Sequence, residues 1–245
     1  MPLIWGRHPV LEALRAGRPI DRLFLAEGAR PVGVLGELIA LGRERAVPTQ
    51  SLDRRALDRL SEGANHQGVI AEVASYRYRS LDDLIAAGAA GPGLPLVVAL
   101  DSLEDPQNFG TLLRTADAVG ATGVIIPQHR AVGVTPAVEK ASAGAVEYVA
   151  IARATNLGKA LASLKQQGYW AVGLDEAATE RYDRFRVDVP LVLVVGAEGK
   201  GLGRLVRETC DVVVRLPQRG RISSLNVAVA GSIVLYEIQR RRGWA

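Results

Sequence analysis

The sequence predicts an α/β protein in which a C-terminal domain with a largely parallel sheet follows a small N-terminal α/β domain. From Leu96 onward, short apolar runs alternate with segments of helical periodicity, which is typical of a parallel sheet covered on both faces. Hydrophobic residues make up 48% and charged residues 23% of the 245 residues, a globular composition that can bury a sizeable core. The intervening stretch is charged and then rich in Gly, Ala and Pro. We therefore expect an N-terminal domain (1–74), a linker (75–95) and a C-terminal domain (96–245).

The N-terminal domain shows helical and strand patterns in alternation. Helices are expected around Val10–Leu14, Val34–Leu41 and Leu52–Leu60, and strands at Ile20–Leu25 and Gly68–Ala74. The loop at 61–67 is polar and contains glycine, so we expect it to make contacts rather than core. In the linker, a short helix is possible around 81–87, and the Tyr-Arg-Tyr-Arg run before it could touch RNA or simply be solvated.

The C-terminal domain continues as a series of strands and helices. The expected strands are Leu96–Leu100, Gly123–Ile126, Tyr148–Ile151, Tyr169–Leu174, Leu191–Val195 and Val212–Leu216. The expected helices are Gly110–Val119, Pro136–Ala143, Asn156–Gln167, Leu202–Glu208 and a last helix from about Leu225. Because ligands bind beyond the carboxyl ends of parallel strands, the loops that follow these strands are the candidate site.

Three of these loops combine glycine with charged or amide residues. The first follows Leu100 and contains Asn108, which can cap a helix that carries Arg114. The second, 196–202, places Glu198 among three glycines, which permit a close approach of backbone and ligand. The third, 216–226, ends in Ser223, Ser224 and Asn226, short side chains that are typical of a helix N-cap. Neither a P-loop nor a dinucleotide fingerprint is present, so ATP or NAD is not favoured.

Bulk properties narrow the classes of protein that fit. The net charge of +4 and the pI of about 9.4 are compatible with nucleic acid, although Arg enrichment also accompanies a GC-rich genome or adaptation to heat. No transmembrane stretch or signal peptide is recognisable, and one cysteine, Cys210, excludes an internal disulfide framework, so we expect a cytoplasmic protein with a buried thiol. The 3 histidines lack metal-ligand spacing, and we expect no metal site.

Taken together, the motifs D-x-x-x-D-P-x-N-x-G-x-x-x-R, G-x-E-x-x-G-L and L-P-…-G-x-x-S-S-L-N-V-x-V-A resemble those of one enzyme family. It is the SpoU (TrmH-like) family of RNA ribose 2′-O-methyltransferases, of the knotted SPOUT class. The resemblance covers residues 96–245 closely. The pieces GRHPVLEAL at 6–14 and NHQGV at 65–69 resemble the substrate-binding domain of the RlmB-type branch, which methylates a guanosine of 23S ribosomal RNA.

The resemblance implies a fold, a cofactor and site residues. It implies a deep C-terminal trefoil knot and S-adenosyl-L-methionine as the methyl donor, with no need for a metal. By motif position the cofactor would be held mostly by backbone groups of Gly196, Ile126, Pro127, Leu216, Leu225 and Asn226. The implied catalytic residues are Arg114, Asn108, Glu198, Ser224 and Asn226. We expect Arg114 to clamp a phosphate and stabilise the developing alkoxide rather than to act as a base, because a guanidinium keeps its proton.

The resemblance also implies partners. We expect 23S ribosomal RNA as substrate, no membrane, and a homodimer through the C-terminal helix, with Leu235, Ile238 and Trp244 in the interface. Arg240, Arg241 and Arg242 are expected to form a solvated or RNA-facing tail. The alternatives are a methyltransferase acting on tRNA or on another ribosomal RNA site, and a non-catalytic RNA-binding assembly factor.

Overall fold

A computed structural model describes residues 1–221 and 224–244. The chain forms two compact units, here called unit 1 (Met1–Arg77 with Val134–Tyr148) and unit 2 (Tyr78–Gly133 with Val149–Ala245). Unit 1 therefore includes a segment that the sequence analysis placed inside the C-terminal domain. The reason is packing within unit 1: the helix at Pro136–Ala141 contacts the first strand, and Gly144 lies so close to Glu12 that a Cβ there would sit 2.4 Å from the Glu12 Cβ.

The elements are numbered here in chain order. The strands are β1 (Leu3–Trp5), β2 (Ile20–Ala26), β3 (Thr49–Leu52), β4 (Val69–Val73), β5 (Leu96–Leu100), β6 (Gly123–Pro127), β7 (Ile151–Ala154), β8 (Trp170–Leu174), β9 (Glu180–Arg181), β10 (Leu191–Val195) and β11 (Val212–Arg215). The helices are α1 (Arg7–Arg15), α2 (Val34–Glu44), α3 (Arg54–Leu60), α4 (Leu81–Ala90), α5 (Pro106–Ala118), α6 (Pro136–Ala141), α7 (Leu157–Gln166), α8 (Arg204–Thr209) and α9 (Val227–Arg242). A short 3-10 helix, Ala145–Glu147, follows α6.

Unit 1 is a small mixed sheet with helices against it. Its 4-stranded sheet has the order β1-β4-β2-β3, in which β2 is antiparallel to β4 and parallel to β3. Helices α1 and α2 pack together, and the apolar side chains of Val10, Leu14, Leu35 and Leu38 are buried in one core with the sheet. The predicted helices and the strands β2 and β4 are present, whereas the 3- and 4-residue strands β1 and β3 were not predicted.

A buried ionic cluster, Arg18 with Glu139 and Glu147, holds the segment after residue 133 within unit 1. The Arg18 Nη1 lies 3.1 Å from Glu139 Oε1 and 2.7 Å from Glu147 Oε1, and the three side chains are only 5–8% exposed. Arg18 also donates from Nε and Nη2 to the carbonyl of Ala74. One guanidinium serves two carboxylates, and the Glu139 Oε2 is buried without a hydrogen-bond partner among the described residues. Burial raises the pKa of Glu139 to about 7.

Unit 2 is built on a 7-stranded sheet of order β7-β6-β5-β10-β8-β11-β9, and every strand pair in it is parallel. The predicted parallel sheet is thereby confirmed. β5 and β10 are buried along their whole length, as expected for central strands covered on both sides. Helices α4, α7 and α8 contribute to the core on one face, while α5 and α9 pack together on the other.

The predicted linker is largely part of unit 2. Helix α4 begins with a capping box between Ser80 and Asp83, and its Leu84 is 1% exposed in the core of the large sheet. The strand expected at Tyr148–Ile151 is also displaced, because the 3-10 helix precedes β7 and the strand itself starts at Ile151. The trefoil knot stays a prediction.

Two predictions about the C-terminal helix α9 do not agree with the structure. Leu235 and Ile238 are buried within unit 2, so their predicted place in a dimer interface is wrong. Arg242 is no solvated tail either, because its guanidinium donates to the carbonyls of Val187, Leu94 and Val189. Within the described ranges, no helix has both the length and the apolar character required to cross a bilayer.

Candidate active site

The three polar loops meet at the carboxyl edge of the large sheet, as predicted. β10 lies between β5 and β8, and β11 lies beside β8, so the loops after Leu100, Val195 and Arg215 leave the sheet along one edge. A cavity of about 570 Å³ opens there, between the second and third loops and the end of β8. It falls within the range of roughly 300–1,000 Å³ that small-molecule sites occupy.

A chain of hydrogen bonds starts at the first turn of α9. Asn226 is the N-cap of that helix, and its Oδ1 accepts from the backbone N–H groups of Ala228 at 2.9 Å and Val229 at 3.1 Å. Because the oxygen is committed to the helix, the Nδ2 group must face away as a donor. It donates to Asn108 Oδ1 at 2.8 Å.

The same reasoning fixes the next two members of the chain. The Asn108 oxygen accepts from Asn226. The Asn108 Nδ2 therefore donates onward to Glu198 Oε2, at a longer distance of 3.4 Å. Glu198 Oε2 is therefore the acceptor at the end of the chain. We call Asn226, Asn108 and Glu198 the amide relay. It joins all three loops, and Asn108, which lies at its centre, is only 7% exposed.

Backbone constraints hold the second loop in place. Ala197 and Gly201 exchange two backbone hydrogen bonds of 3.0 Å, which closes the loop on itself. A Cβ on Gly196 would lie 2.3 Å from the carbonyl of Gly201, so glycine is required there. Asp101 then ties the first loop to the second, since its Oδ2 accepts from the Gly203 N–H at 2.7 Å.

Several predicted site residues line the cavity and others do not. Its lining includes Gly196, Glu198, Leu216, Ser224, Leu225 and Asn226. Ile126 and Pro127 lie outside this lining, because they end β6, which β5 separates from β10. That they hold the cofactor stays a prediction. Ser223 is one of the residues that the structure does not describe.

Arg114 also lies apart from the cavity lining. It is exposed on α5, one residue before Thr115, whose hydroxyl is hydrogen-bonded to Ser232 of α9 at 2.7 Å. Among the described residues it makes no hydrogen bond or ion pair, in contrast to most residues of the site. Its guanidinium is thus available to a ligand that approaches the surface of α5.

The sequence analysis missed one wall of the cavity, 174–177 at the end of β8. Asp175 is fixed there, since its Oδ1 accepts from the Ala177 N–H at 2.8 Å and its Oδ2 pairs with Arg207 at 2.5 Å. Glu176, Glu198 and Lys200 are the other charged residues of the described lining. The signal was present, because the sequence GLDEA follows a strand that had been predicted and parallel strands end at the same edge.

A parallel α/β sheet with a small-molecule cavity at its carboxyl edge, crossed by a directional relay of amides and a carboxylate, defines a ligand-binding enzyme domain. Residues 95–236 match the family model described as the SpoU rRNA Methylase family, and residues 3–79 match RNA 2′-O ribose methyltransferase substrate binding. The chain belongs to the SpoU methylase family and is an RNA methyltransferase of the TrmH/SpoU type.

Individual relatives support this assignment over nearly the whole chain. A putative TrmH family tRNA/rRNA methyltransferase, YacO of Bacillus subtilis, is 44% identical over 237 residues, covering 97% of this chain and 94% of the relative. The SpoU methyltransferase AviRb of Streptomyces viridochromogenes, solved in complex with AdoMet, superposes with a TM-score of 0.82 at 26% identity, covering 99% of this chain and 91% of that one. An AdoMet-bound rRNA methyltransferase of Sinorhizobium meliloti gives 0.80 at 28% identity, with 98% and 87% covered.

Proposed function

We propose that this enzyme transfers the methyl group of S-adenosylmethionine to the ribose 2′-hydroxyl of a guanosine in 23S ribosomal RNA, in the cytoplasm. The observation that carries the proposal is the amide relay, which joins all three family motifs beside one cavity. The match of residues 3–79 to a substrate-binding model supports RNA as the substrate.

The volume and the lining of the cavity support S-adenosylmethionine as its ligand. Its second and third loops offer backbone groups at Gly196, Leu216 and Leu225, next to the apolar side chains of Val195 and Ala230. S-adenosylmethionine carries a sulfonium, an ammonium and a carboxylate group; Glu176 and Glu198 complement its positive charges, and Lys200 complements its carboxylate. When bound, the cofactor supplies an activated methyl group, so the protein's task is alignment and the handling of one proton.

The residues of the site divide this task. The ribose 2′-oxygen forms a bond to the methyl carbon as the carbon–sulfur bond breaks, and S-adenosylhomocysteine leaves. Asn108 and Ser224 orient the ribose, while Asn226 and Glu198 fix the third and second loops. Arg114 clamps the neighbouring phosphate and stabilises charge on the developing alkoxide, and the proton passes to phosphate or water. Such alignment can lower a barrier by roughly 7–11 kcal/mol in favourable cases.

We also propose a homodimer through α9. One side of this helix is buried within unit 2, yet Val229, Ile233 and Tyr236 are 39–48% exposed on another side at helical spacing. Trp244, 53% exposed, stacks edge-on against Tyr236 at 5.3 Å and extends this apolar surface. A second copy of the chain would cover it, with Trp244 in the interface as predicted and the exposed side of α9 in place of Leu235 and Ile238.

The deciding experiment incubates the protein with methyl-labelled S-adenosylmethionine and either a 23S ribosomal RNA transcript or total tRNA, followed by mapping of the modified ribose. Label on a guanosine of 23S RNA is expected. Label on tRNA alone would favour the first alternative, which the relative named as a tRNA/rRNA methyltransferase keeps open. No label on either RNA would favour an assembly factor.

Arg114→Ala tests the mechanism within the same assay. We expect turnover to be lost while the affinity for S-adenosylmethionine, measured by calorimetry, stays unchanged, because Arg114 lies outside the cavity lining. Arg43→Ala, at an exposed arginine of α2 in unit 1, serves as the matched control and should keep full activity. Full activity of the Arg114 variant would remove this residue from the mechanism.

A further inference from the structure

Unit 1 contains a large cleft that the proposed reaction does not use. Its volume is about 980 Å³, and it lies between the N-terminal ends of α1 and α2, the start of α3 and the loop that contains His66 and Gln67. Three arginines line it: Arg7, Arg30 and Arg54. We call this feature the arginine cleft.

The arginines of the cleft are free of acidic partners among the described residues. Arg7 bonds only to Gln67, and Arg30 and Arg54 make no side-chain hydrogen bond or ion pair within that part of the chain. Other arginines of the described residues do pair with carboxylates, namely Arg15, Arg18, Arg181, Arg186, Arg204, Arg207 and Arg240. Convergent cations without counter-charges leave a positive potential that favours an anionic ligand.

The one acidic residue in the lining, Asp58, is already engaged. His66 Nδ1 accepts from the Gly68 N–H at 3.0 Å, so in the neutral ring Nε2 carries the proton and donates to Asp58 Oδ1 at 3.0 Å. The carboxylate of Asp58 therefore has a partner other than the arginines. The buried position of His66, 5% exposed, keeps this pair in place.

The wall of the cleft formed by Gln67 is held rigidly. Gln67 has a left-handed backbone with φ of +55°, a conformation that is strained for a residue with a side chain. It is held by Arg7, whose backbone N–H donates to Gln67 Oε1 at 3.0 Å and whose Nε donates to the Gln67 carbonyl at 3.2 Å. Because Oε1 is an acceptor here, the Nε2 donor of Gln67 remains available to a ligand.

We infer that the arginine cleft binds the phosphate backbone of the substrate RNA, with Arg30 and Arg54 as phosphate contacts and Gln67 as an additional donor. The inference rests on the proposed function for the identity of the RNA, but the binding chemistry is independent of methyl transfer. Guanidinium groups match phosphate geometry with paired hydrogen bonds, which exposed lysines do not offer.

The test compares Arg30→Gln/Arg54→Gln with Arg43→Gln/Arg45→Gln, which removes the same charge at the C-terminal end of α2 in the same unit. The affinity for a fluorescent 23S ribosomal RNA transcript is measured by anisotropy over a series of KCl concentrations. Each lost phosphate contact should reduce the slope of log K against log salt by about 0.7–0.9. We expect the cleft variant to lose about 1.5 in slope and at least tenfold in affinity at 0.1 M KCl, with the control unchanged.

Two further readouts separate this inference from the proposed function. In the methylation assay the cleft variant should raise KM for RNA without changing kcat or the affinity for S-adenosylmethionine. Arg30→Lys/Arg54→Lys should keep most of the salt slope but lose affinity, because the charge remains while the paired hydrogen bonds do not. If the wild type does not methylate 23S RNA, a reduced salt slope in the cleft variant still supports RNA binding at the arginine cleft. Slopes and affinities equal to those of the control would overturn it.

Discussion

Unit 1 and unit 2 each contain a polar side-chain network, and the two networks differ in burial and in charge. The ionic cluster is buried, whereas in the amide relay only Asn108 is buried and Asn226 and Glu198 are exposed. The ionic cluster of unit 1 joins three full charges with one guanidinium between two carboxylates. The amide relay of unit 2 uses neutral amides whose direction is set by the N-cap of α9 and which end in a single carboxylate beside the cavity.

The difference concerns what each network can tolerate. A buried ion pair contributes little net stability when intact, but the loss of one partner leaves an uncompensated charge and is costly. The amide relay has only one buried member, Asn108, but it has a direction, and a change of one donor into an acceptor breaks it at a defined link. The first network should therefore report on folding, and the second on the site.

The largest effect should come from Arg18→Met. It leaves Glu139 and Glu147 buried without their cation, and we expect a loss of about 3–5 kcal/mol in the free energy of unfolding. Urea denaturation at pH 8 measures it. Arg43→Met, at an exposed arginine of unit 1, should change the stability by no more than about 0.5 kcal/mol. Equal stability of the two variants would show that the cluster does not hold the unit together.

A smaller but more specific effect is expected from Asn108→Asp. The new carboxylate still accepts from Asn226 but faces Glu198 without a proton between them. We expect kcat/KM to fall roughly 10- to 100-fold, about 1.4–2.7 kcal/mol of transition-state stabilisation.

The double variant Asn108→Asp/Glu198→Gln sharpens the same point. Its glutamine amide can donate to the new carboxylate, so every link again has a donor and an acceptor, with only the direction of the 108–198 link reversed. Activity should recover by several-fold over Asn108→Asp alone, and a double-mutant cycle gives the coupling energy. Strictly additive losses would mean that the contact between residues 108 and 198 does not matter.

A third effect, on stability, should depend on pH. Burial raises the pKa of Glu139 from 4.5 to about 7, so between these values the folded protein holds a proton that the unfolded chain releases. The free energy of unfolding should thus fall as pH rises from about 4.5 to 7 and level off above it.

Glu139→Gln removes this titration. The variant should resemble the wild type near pH 5 and be more stable at pH 8, by about 1–3 kcal/mol. Thermal denaturation across this pH range measures the difference, and Glu44→Gln, at an exposed position of α2, is the control. If the wild type were more stable than Glu139→Gln at pH 8, the raised pKa of Glu139 would be contradicted.

Local pattern predicted most elements of the fold and the meeting of the three loops, because parallel strands end at the same edge whatever their order. Strand order itself cannot be read from periodicity, and this is why Asp175, at the end of β8 beside β10, was missed. The error about Leu235 has a similar origin. α9 is apolar on both sides, so the sequence alone does not tell which side faces unit 2.

Very short strands could not be predicted from the sequence for another reason. A strand of 3 residues such as β1 offers too little alternation to recognise, and its place depends on pairing with β4, which is about 65 residues away. The grouping of Val134–Tyr148 with unit 1 depends likewise on Arg18 and Glu12, whose partners lie far along the chain.

That grouping limits how this protein can be divided. A fragment ending at residue 77 would expose the apolar surface that α6 covers and leave Arg18 without its carboxylates, while the remainder would carry Glu139 and Glu147 with no cation. Any transfer of unit 1 to another protein must therefore include two pieces of chain, since the first alone is an incomplete fold.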